Sequence, residues 1–299
     1  MSIEIWALLG AMLTVATPLV LASVGELVTE RAGVLNLGIE GTMYAGAFVG
    51  FLASAGSGSA WVGVGAAVVA GGLAGALMGL LTVTLGVNQH VAGIGTTLLL
   101  VASCEFTNRL LYGGGALTQV DKLSKLFPGS AVLGQYPLTY LAFLVVVPAA
   151  WWVLRSTGAG LRLRAVGENP EAADVAGIPV ARTRYAALVV GGALMAVGGA
   201  FLTVAMLGTF TLDIVAGRGW VCIALVIFGR WRVWPTVGGA LLFAVVDSLQ
   251  LQLAITPAFA DVPREVMIAL PYLVVVGALV VWGRRVRYPG AYLQHYRRA

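Results

Sequence analysis

The sequence predicts an all-α fold: a polytopic membrane bundle of about nine spanning helices, within a range of eight to ten. Three observations carry this prediction. Apolar residues make up 59% of the 299, and charged residues only 10%; a soluble domain carries about 25% charged residues. Mean hydropathy is +0.92. The apolar residues come in runs of about 20, the length that crosses a bilayer. The runs read as one transmembrane domain over residues 1–299, with no soluble domain and no low-complexity tail.

In chain order the spans fall near 6–25, 36–55, 61–86, 90–111, 138–154, 185–207, 214–229, 236–255 and 266–282, with longer linkers at 112–137 and 155–184. The opening MSIEIW has no basic stretch before its apolar run, so it is not expected to be a cleaved signal peptide. Glu26, Glu30 and Arg31 follow the first run and are expected in a turn at the membrane surface, solvated or paired. The second span begins among Gly33, Gly38 and Gly41 and carries Asn36, Glu40 and Tyr44 at every fourth position, one stripe of one helix. Asn36 alternatively caps the span. An ionisable group such as Glu40 is costly inside a span. It is expected to face the bundle interior or a watery cavity, or to pair with an arginine and hold two spans together.

Gly71, Gly75 and Gly79 recur every four residues in the third span, as do Thr42, Gly46 and Gly50 in the second. Such stripes let helices approach closely, and static packing is the favoured reading over a sliding contact. Asn88, Gln89 and His90 open the fourth span, where Glu105 and Arg109, four apart, are placed to pair. Cys104 and Cys222 sit in apolar runs as small buried hydrophobes, without disulfide or metal spacing. The seventh span is short and carries Arg218 between Gly217 and Gly219; in the eighth, Asp247 and Gln250 share a face. Each of the two odd spans, the second and the seventh, is followed by one beginning with paired glycines, GGLAGALMG and GGALLFAVV. The offset is five spans, an odd number, so the two units face opposite ways. That pattern predicts an inverted repeat whose interrupted helices flank a route through the membrane. The residues assigned to that route are Asn36, Glu40, Tyr44, Asn88, Gln89, Asp247 and Gln250.

Basic residues set the orientation, because cytoplasmic loops collect them. With 155–184 inside, 13 of the 18 lie on the cytoplasmic side; Arg109, Lys122, Lys125, Arg218 and Arg264 fall on or near the other face. Nine spans then put the N-terminus outside and the C-terminus inside. The same bias accounts for the net charge of +5 without a nucleic-acid partner.

The loop 162–184 is polar yet organised. Asn169 suits an N-cap, Pro170 the first helical position and Glu171 the positive end of the dipole. Gly177 suits the left-handed position after a helix, and Pro179 forbids continuation. A short helix over 170–176 follows. It is marginal alone, and the loop is expected to offer no core of its own, so a partner protein is expected to receive it. A helix lying on the membrane surface is the alternative, weakened by the lack of large apolar residues. The two lysines, Lys122 and Lys125, follow no phosphate-cradling glycine loop, so any ATP drive must come from another subunit.

Five stretches now bear on identity: GELVTERAGVLNLGIEG, VGENPEAADVAGI, AGRGW followed by FGRW, WPTVGGALLFAVVDSLQ and ALPYLVVV. Together and in this order they resemble the permease subunits of ABC importers in the ribose and branched-chain amino acid superfamily. More narrowly, they resemble the nucleoside branch, which works with a basic-membrane-lipoprotein type of binding protein. The resemblance implies that the short helix is a coupling helix seated in an ATPase, with Glu168, Asn169, Pro170, Glu171, Asp174 and Gly177 upon it. Glu171-Ala172-Ala173 with Gly177 four residues on partly echoes the EAA loop of many importers, without the rest of its pattern. The resemblance also implies two ATPase domains on one double-length chain, a second and longer permease, a substrate-binding lipoprotein outside, and residence in a bacterial inner membrane among its lipids.

Neither a cofactor nor a metal is expected: the histidines, His90 and His295, are far apart in the chain, and no nucleophile–base set is visible. The resemblance implies a nucleoside as substrate, with a simple sugar as the alternative. Amides, acids and Tyr44 suit a neutral ring-bearing solute, and no arginine cluster along the spans favours a phosphate. A different class, an ion-driven secondary transporter using Glu40, Glu105 or Asp247 as proton carrier, is separated from the importer by the capped helix and the resemblance. An intramembrane enzyme has almost no support.

Overall fold

The computed structural model describes residues 5–113, 119–254, 263–282, 288–294 and 296, and among them there is helix and loop but no strand. Arg284, Arg285, Arg287, His295, Arg297 and Arg298, which enter the charge and metal arguments, lie outside the described residues. The helices are α1 (Ile5–Arg31), α2 (Ile39–Ser57), α3 (Ala60–Thr84), α4 (Gln89–Tyr112), α5 (Pro137–Ser156) and α6 (Gly158–Glu168). They continue as α7 (Pro170–Val175), α8 (Val180–Leu207), α9 (Arg218–Phe228), α10 (Val233–Ala254) and α11 (Arg264–Trp282). Every predicted span falls on a helix. Among the described residues six, α1, α3, α4, α5, α8 and α10, are long and apolar enough by themselves to cross a membrane.

α8 is the central post, packed against α1, α2 and α3. Small residues make this possible. A Cβ on Gly71 or Gly75 of α3 would land on the backbone of Gly192 or Leu188 in α8, and one on Gly46 of α2 would land on Ala196. Van der Waals contact drives helix association in lipid, where the hydrophobic effect supplies nothing, so the glycine stripes serve close packing. Residues 119–136 cross one end of the bundle. Val120 and Leu123 donate to the carbonyls of Gly208 and Val204 at 2.8 and 2.9 Å, and Gln135 Nε2 donates to the Gly10 carbonyl at 3.0 Å.

Several expectations are corrected. α1 runs six residues past its predicted end at 25, and Glu26 and Glu30 are fully buried in it rather than solvated in a turn. Local partners make this tolerable. Glu26 accepts from the Asn36 amide at 2.9 Å and the Thr29 hydroxyl at 3.2 Å; Glu30 accepts from the Trp231 indole and faces the Tyr292 phenol. Burial, then the nearby Glu30 charge, pushes the Tyr292 phenol upward in pKa. α2 starts at Ile39 and α9 at Arg218, each a few residues later than predicted, because irregular glycine-bearing chain precedes both. The linker 155–184, expected to have no core of its own, has one. It holds α6 and α7 around a small core of Val166, Ala173 and Val180, flanked by Ile178 and Tyr296.

Candidate functional site

The first turns of α2 and α9 meet inside the bundle. α9 has 11 residues, so it is about 16 Å long, half of a hydrocarbon core about 30 Å thick. Its far end lies beside the end of α1, where Arg31 Nε donates to the Trp231 carbonyl at 2.8 Å. Its N-terminus therefore opens about 16 Å along the bundle from that end. Ala216 and Gly217 both have positive φ, 50° and 81°, and turn the chain sharply so that the following amides point one way. Glu40 receives them: Oε1 accepts from Gly217 at 2.8 Å and Oε2 from Gly219 at 2.7 Å, with Trp220 adding a further amide. A carboxylate is well matched to the positive end of a helix. Gly219 is required by the close approach, since a Cβ there would come within 2.6 Å of Glu40 Cα.

Charges gather around this junction. Arg218 folds back, donating to the Ile214 and Val215 carbonyls at 3.3 Å each. Its charge reaches Glu40, Asp247 of α10 and Tyr272 of α11. Tyr272 itself donates to the Ala216 carbonyl at 2.8 Å. So two predicted acids, 207 positions apart in the chain, both feel the charge of one arginine. Gln250, one helical turn from Asp247, is buried. Tyr44 is buried about one turn along α2 from Glu40. Its ring lies edge-on to Phe210 at 5.3 Å, in a cluster that includes Phe48 and Phe51, and its hydroxyl faces Glu105. Glu105 thus neighbours Tyr44, and no ion pair with Arg109 forms among the described residues.

Of the other three route residues, Asn36 and Gln89 hold the turn between α1 and α2 and Asn88 caps α4. Asn36 precedes α2 instead of sharing a stripe with Glu40 and Tyr44, and its Oδ1 accepts from the Gly38 amide at 3.0 Å. Gln89 accepts from the Leu35 amide at 2.8 Å and donates to the Gly33 carbonyl at 3.4 Å. Asn88 caps α4, accepting from the His90 amide at 2.9 Å.

The second group of predicted residues lies on α6 and α7. Asn169 Oδ1 accepts from the Ala172 amide at 2.9 Å, Pro170 takes the first helical position, and Gly177 has φ +80°. The helix ends at Val175, one residue short of the prediction. Pro170 and Ala173 face inward; Glu171 is exposed, and Val175 is 92% exposed. A strap from the chain's end crosses this region. Gly290 donates to Glu168 at 3.1 Å, Ala291 to the Gly167 carbonyl at 2.9 Å, and Tyr296 to Asp174 at 3.0 Å. The strap also packs Tyr288 and Tyr292 on Trp231.

Sequence reasoning undervalued Arg218, Tyr272 and Trp231. The glycines on both sides of Arg218 were one signal, and all three lie in stretches that carry the resemblance: Arg218 in AGRGW, Trp231 in FGRW and Tyr272 in ALPYLVVV. Among the described residues no group of three metal-ligating side chains occurs.

Comparison with known proteins adds the following. A family described as "Branched-chain amino acid transport system / permease component" matches residues 8–281. The guanosine ABC transporter permease protein NupQ of Bacillus subtilis is 31% identical over 90% of this chain and 89% of its own. The nucleoside ABC transporter permease protein NupC of Lactococcus lactis is 33% identical over 91% and 90%. A protein of Haloferax volcanii described as a glucose ABC transporter permease, TsgC13, is 36% identical over 97% of both chains. In fold, the chain is similar to a solved structure described as a metal-chelate type ABC transporter in an inward-facing conformation. The TM-score is 0.56 at 19% identity, over 93% of this chain and 87% of that one.

Proposed function

Because this chain belongs to the family of branched-chain amino acid transport system permease components, we propose that it forms the membrane route of an ATP-driven importer of nucleosides. It is an ABC transporter permease and not itself an enzyme; a separate ATPase subunit hydrolyses ATP, and a substrate-binding protein serves the importer. Similarity to NupQ and NupC over nine-tenths of the chain carries the nucleoside assignment. Similarity to TsgC13 favours a second reading, a simple sugar. Uptake of labelled uridine, guanosine and ribose, with and without the gene, separates them. Loss of ribose uptake alone would move the chain to the sugar reading. Family membership leaves the ion-driven transporter without support.

The route we propose runs between α2, α9, α10 and α11, past Glu40, Tyr44, Asp247 and Gln250, with Arg218 and Tyr272 added. The convergence of these polar groups inside apolar helices supports it. Asn36 and Gln89 are better suited to holding the α1–α2 turn, where their side chains are engaged, and Asn88 to capping α4. The whole chain, 1–299, acts as one transmembrane domain, crossing nine times with α2, α9 and α11 as the additional spans. An inverted repeat relates α2 to α9. Its support is that both begin inside the bundle, and that LGIEG at 37–41 and VAGRG at 215–219 put Glu40 and Arg218 in matching places before a glycine.

α7 is the coupling helix, presented to the ATPase by Glu168, Asn169, Pro170, Glu171, Asp174 and Gly177. Its capped ends and the exposed Val175 support this. In the assembly we propose, one double-length ATPase chain drives this permease and a second, longer one, and a lipoprotein delivers substrate. The site of action is the bacterial inner membrane, with the N-terminus outside and the C-terminus inside.

A further inference from the structure

A cavity of about 200 Å³, apart from the helix-terminus junction, is lined by Arg31, Arg155, Arg164 and Arg232 with Trp151 and Trp234. The arginines arrive from four places: the end of α1, the end of α5, α6, and the turn between α9 and α10. Glu168 attracts Arg31, and Arg164 and Arg232 repel it; the Glu168 carboxylate also accepts from the Gly290 amide. Arg31 and Arg164 donate to neutral carbonyls, of Trp231 and Gly160, and Arg155 stacks on the Trp151 ring at 5.5 Å. No carboxylate among the described residues forms an ion pair with any of the four. Guanidinium groups held together repel, and an oxyanion between them relieves the repulsion while accepting paired hydrogen bonds.

The setting identifies the anion. Trp151 and Trp234 are 37% and 52% exposed and stand at the ends of two membrane-spanning helices, α5 and α10. Tryptophan and arginine together mark the depth of lipid headgroups. Basic cavities between helices at that depth suit anionic headgroups. We infer that this cavity binds an anionic phospholipid of the leaflet next to α6 and α7, its phosphate among the four arginines and its glycerol against the two tryptophans. Four guanidinium groups suit two phosphates, so cardiolipin should bind more tightly than phosphatidylglycerol.

The inference is independent of the transported solute, and its test reads lipid, not uptake. The purified importer complex in detergent is offered cardiolipin, phosphatidylglycerol or phosphatidylcholine, and retained lipid is counted by native mass spectrometry. The complex should hold cardiolipin about tenfold more tightly than phosphatidylcholine. The pair Arg155→Gln and Arg232→Gln should abolish that preference while the complex stays assembled and phosphatidylcholine retention is unchanged. The pair Arg155→Lys and Arg232→Lys should keep most of it; if the Gln pair fails to assemble, Arg232→Gln alone should show a partial loss. Equal retention of all three lipids, or a preference that survives the Gln substitutions, would overturn the inference. So would displacement of cardiolipin by millimolar inorganic phosphate, which would assign the cavity to a soluble anion. Capture of the ATPase by a crosslinker at residue 155 in the lipid-replete complex would assign it to a protein contact.

Discussion

Replacing Glu40 by alanine should loosen the joint between α2 and α9. The carboxylate accepts from the Gly217 and Gly219 amides at 2.8 and 2.7 Å. Hydrogen bonds to charged groups contribute about 1.5–3 kcal/mol each, but those measured inside membrane proteins average only about 0.6 and reach about 1.7. Taking about 1.5 for each of two bonds gives roughly 3 kcal/mol. That is a large share of a net stability of about 5–15 kcal/mol, yet short of unfolding the bundle. Glu40→Ala should therefore insert, with a melting temperature lowered by about 6 °C or more. Glu40→Gln keeps one acceptor oxygen and should lose about half as much. Gly219→Ala should reproduce the alanine phenotype from the other side, since its Cβ would press on the Glu40 backbone. The assay is thermal unfolding of the purified permease, read beside uptake and ATPase activity in the assembled importer. If Glu40→Ala melts like the wild type and transports normally, the carboxylate does not hold the two helix ends together and the joint is misassigned.

Four further outcomes are expected. A reporter fused after residue 170 should read cytoplasmic and one at 125 external; an external signal at 170 would reverse the orientation. Asp174→Arg breaks the Tyr296 contact and should leave the protein inserted while separating ATP hydrolysis from uptake, measured in proteoliposomes. A crosslinking cysteine belongs at Val175, which is exposed, and not at Ala173, which is buried; failure of Val175→Cys to capture the ATPase would remove α7 from the coupling role. Gly75→Leu would drive a side chain into the backbone of Leu188 and should cost about 1–3 kcal/mol or more, seen as reduced accumulation and a lower melting temperature.

Local signals were the legible ones. Asn169, Pro170 and Gly177 describe a helix with both ends marked, because a cap is a contact between residues three or four apart; the structure returned that helix to within one residue. The apolar runs announced every helix that could cross a membrane, since length and hydropathy are properties of a segment alone. Glu40 and Asp247 stood out because isolated acids in apolar helices demand company, although their company was hidden. Glu26 and Glu30 were misplaced for the same reason. A carboxylate near the end of a run looks solvated until its partners are known, and Trp231 lies 201 positions from Glu30.

The amino-acid order by itself determined the class, the presence and order of the helices, and the family, all of which depend on segments or on their succession. Only the tertiary structure decided what faces what. It set the Glu40 carboxylate against amides 177 and 179 positions away, engaged Asn36 and Gln89 in a turn, and brought four arginines from four elements around one cavity. The physical reason is that helix packing, through close glycine contacts on α8, fixes these neighbours. A hydropathy run records what a buried charge costs, while the partner that offsets the cost is chosen by the packing of distant helices.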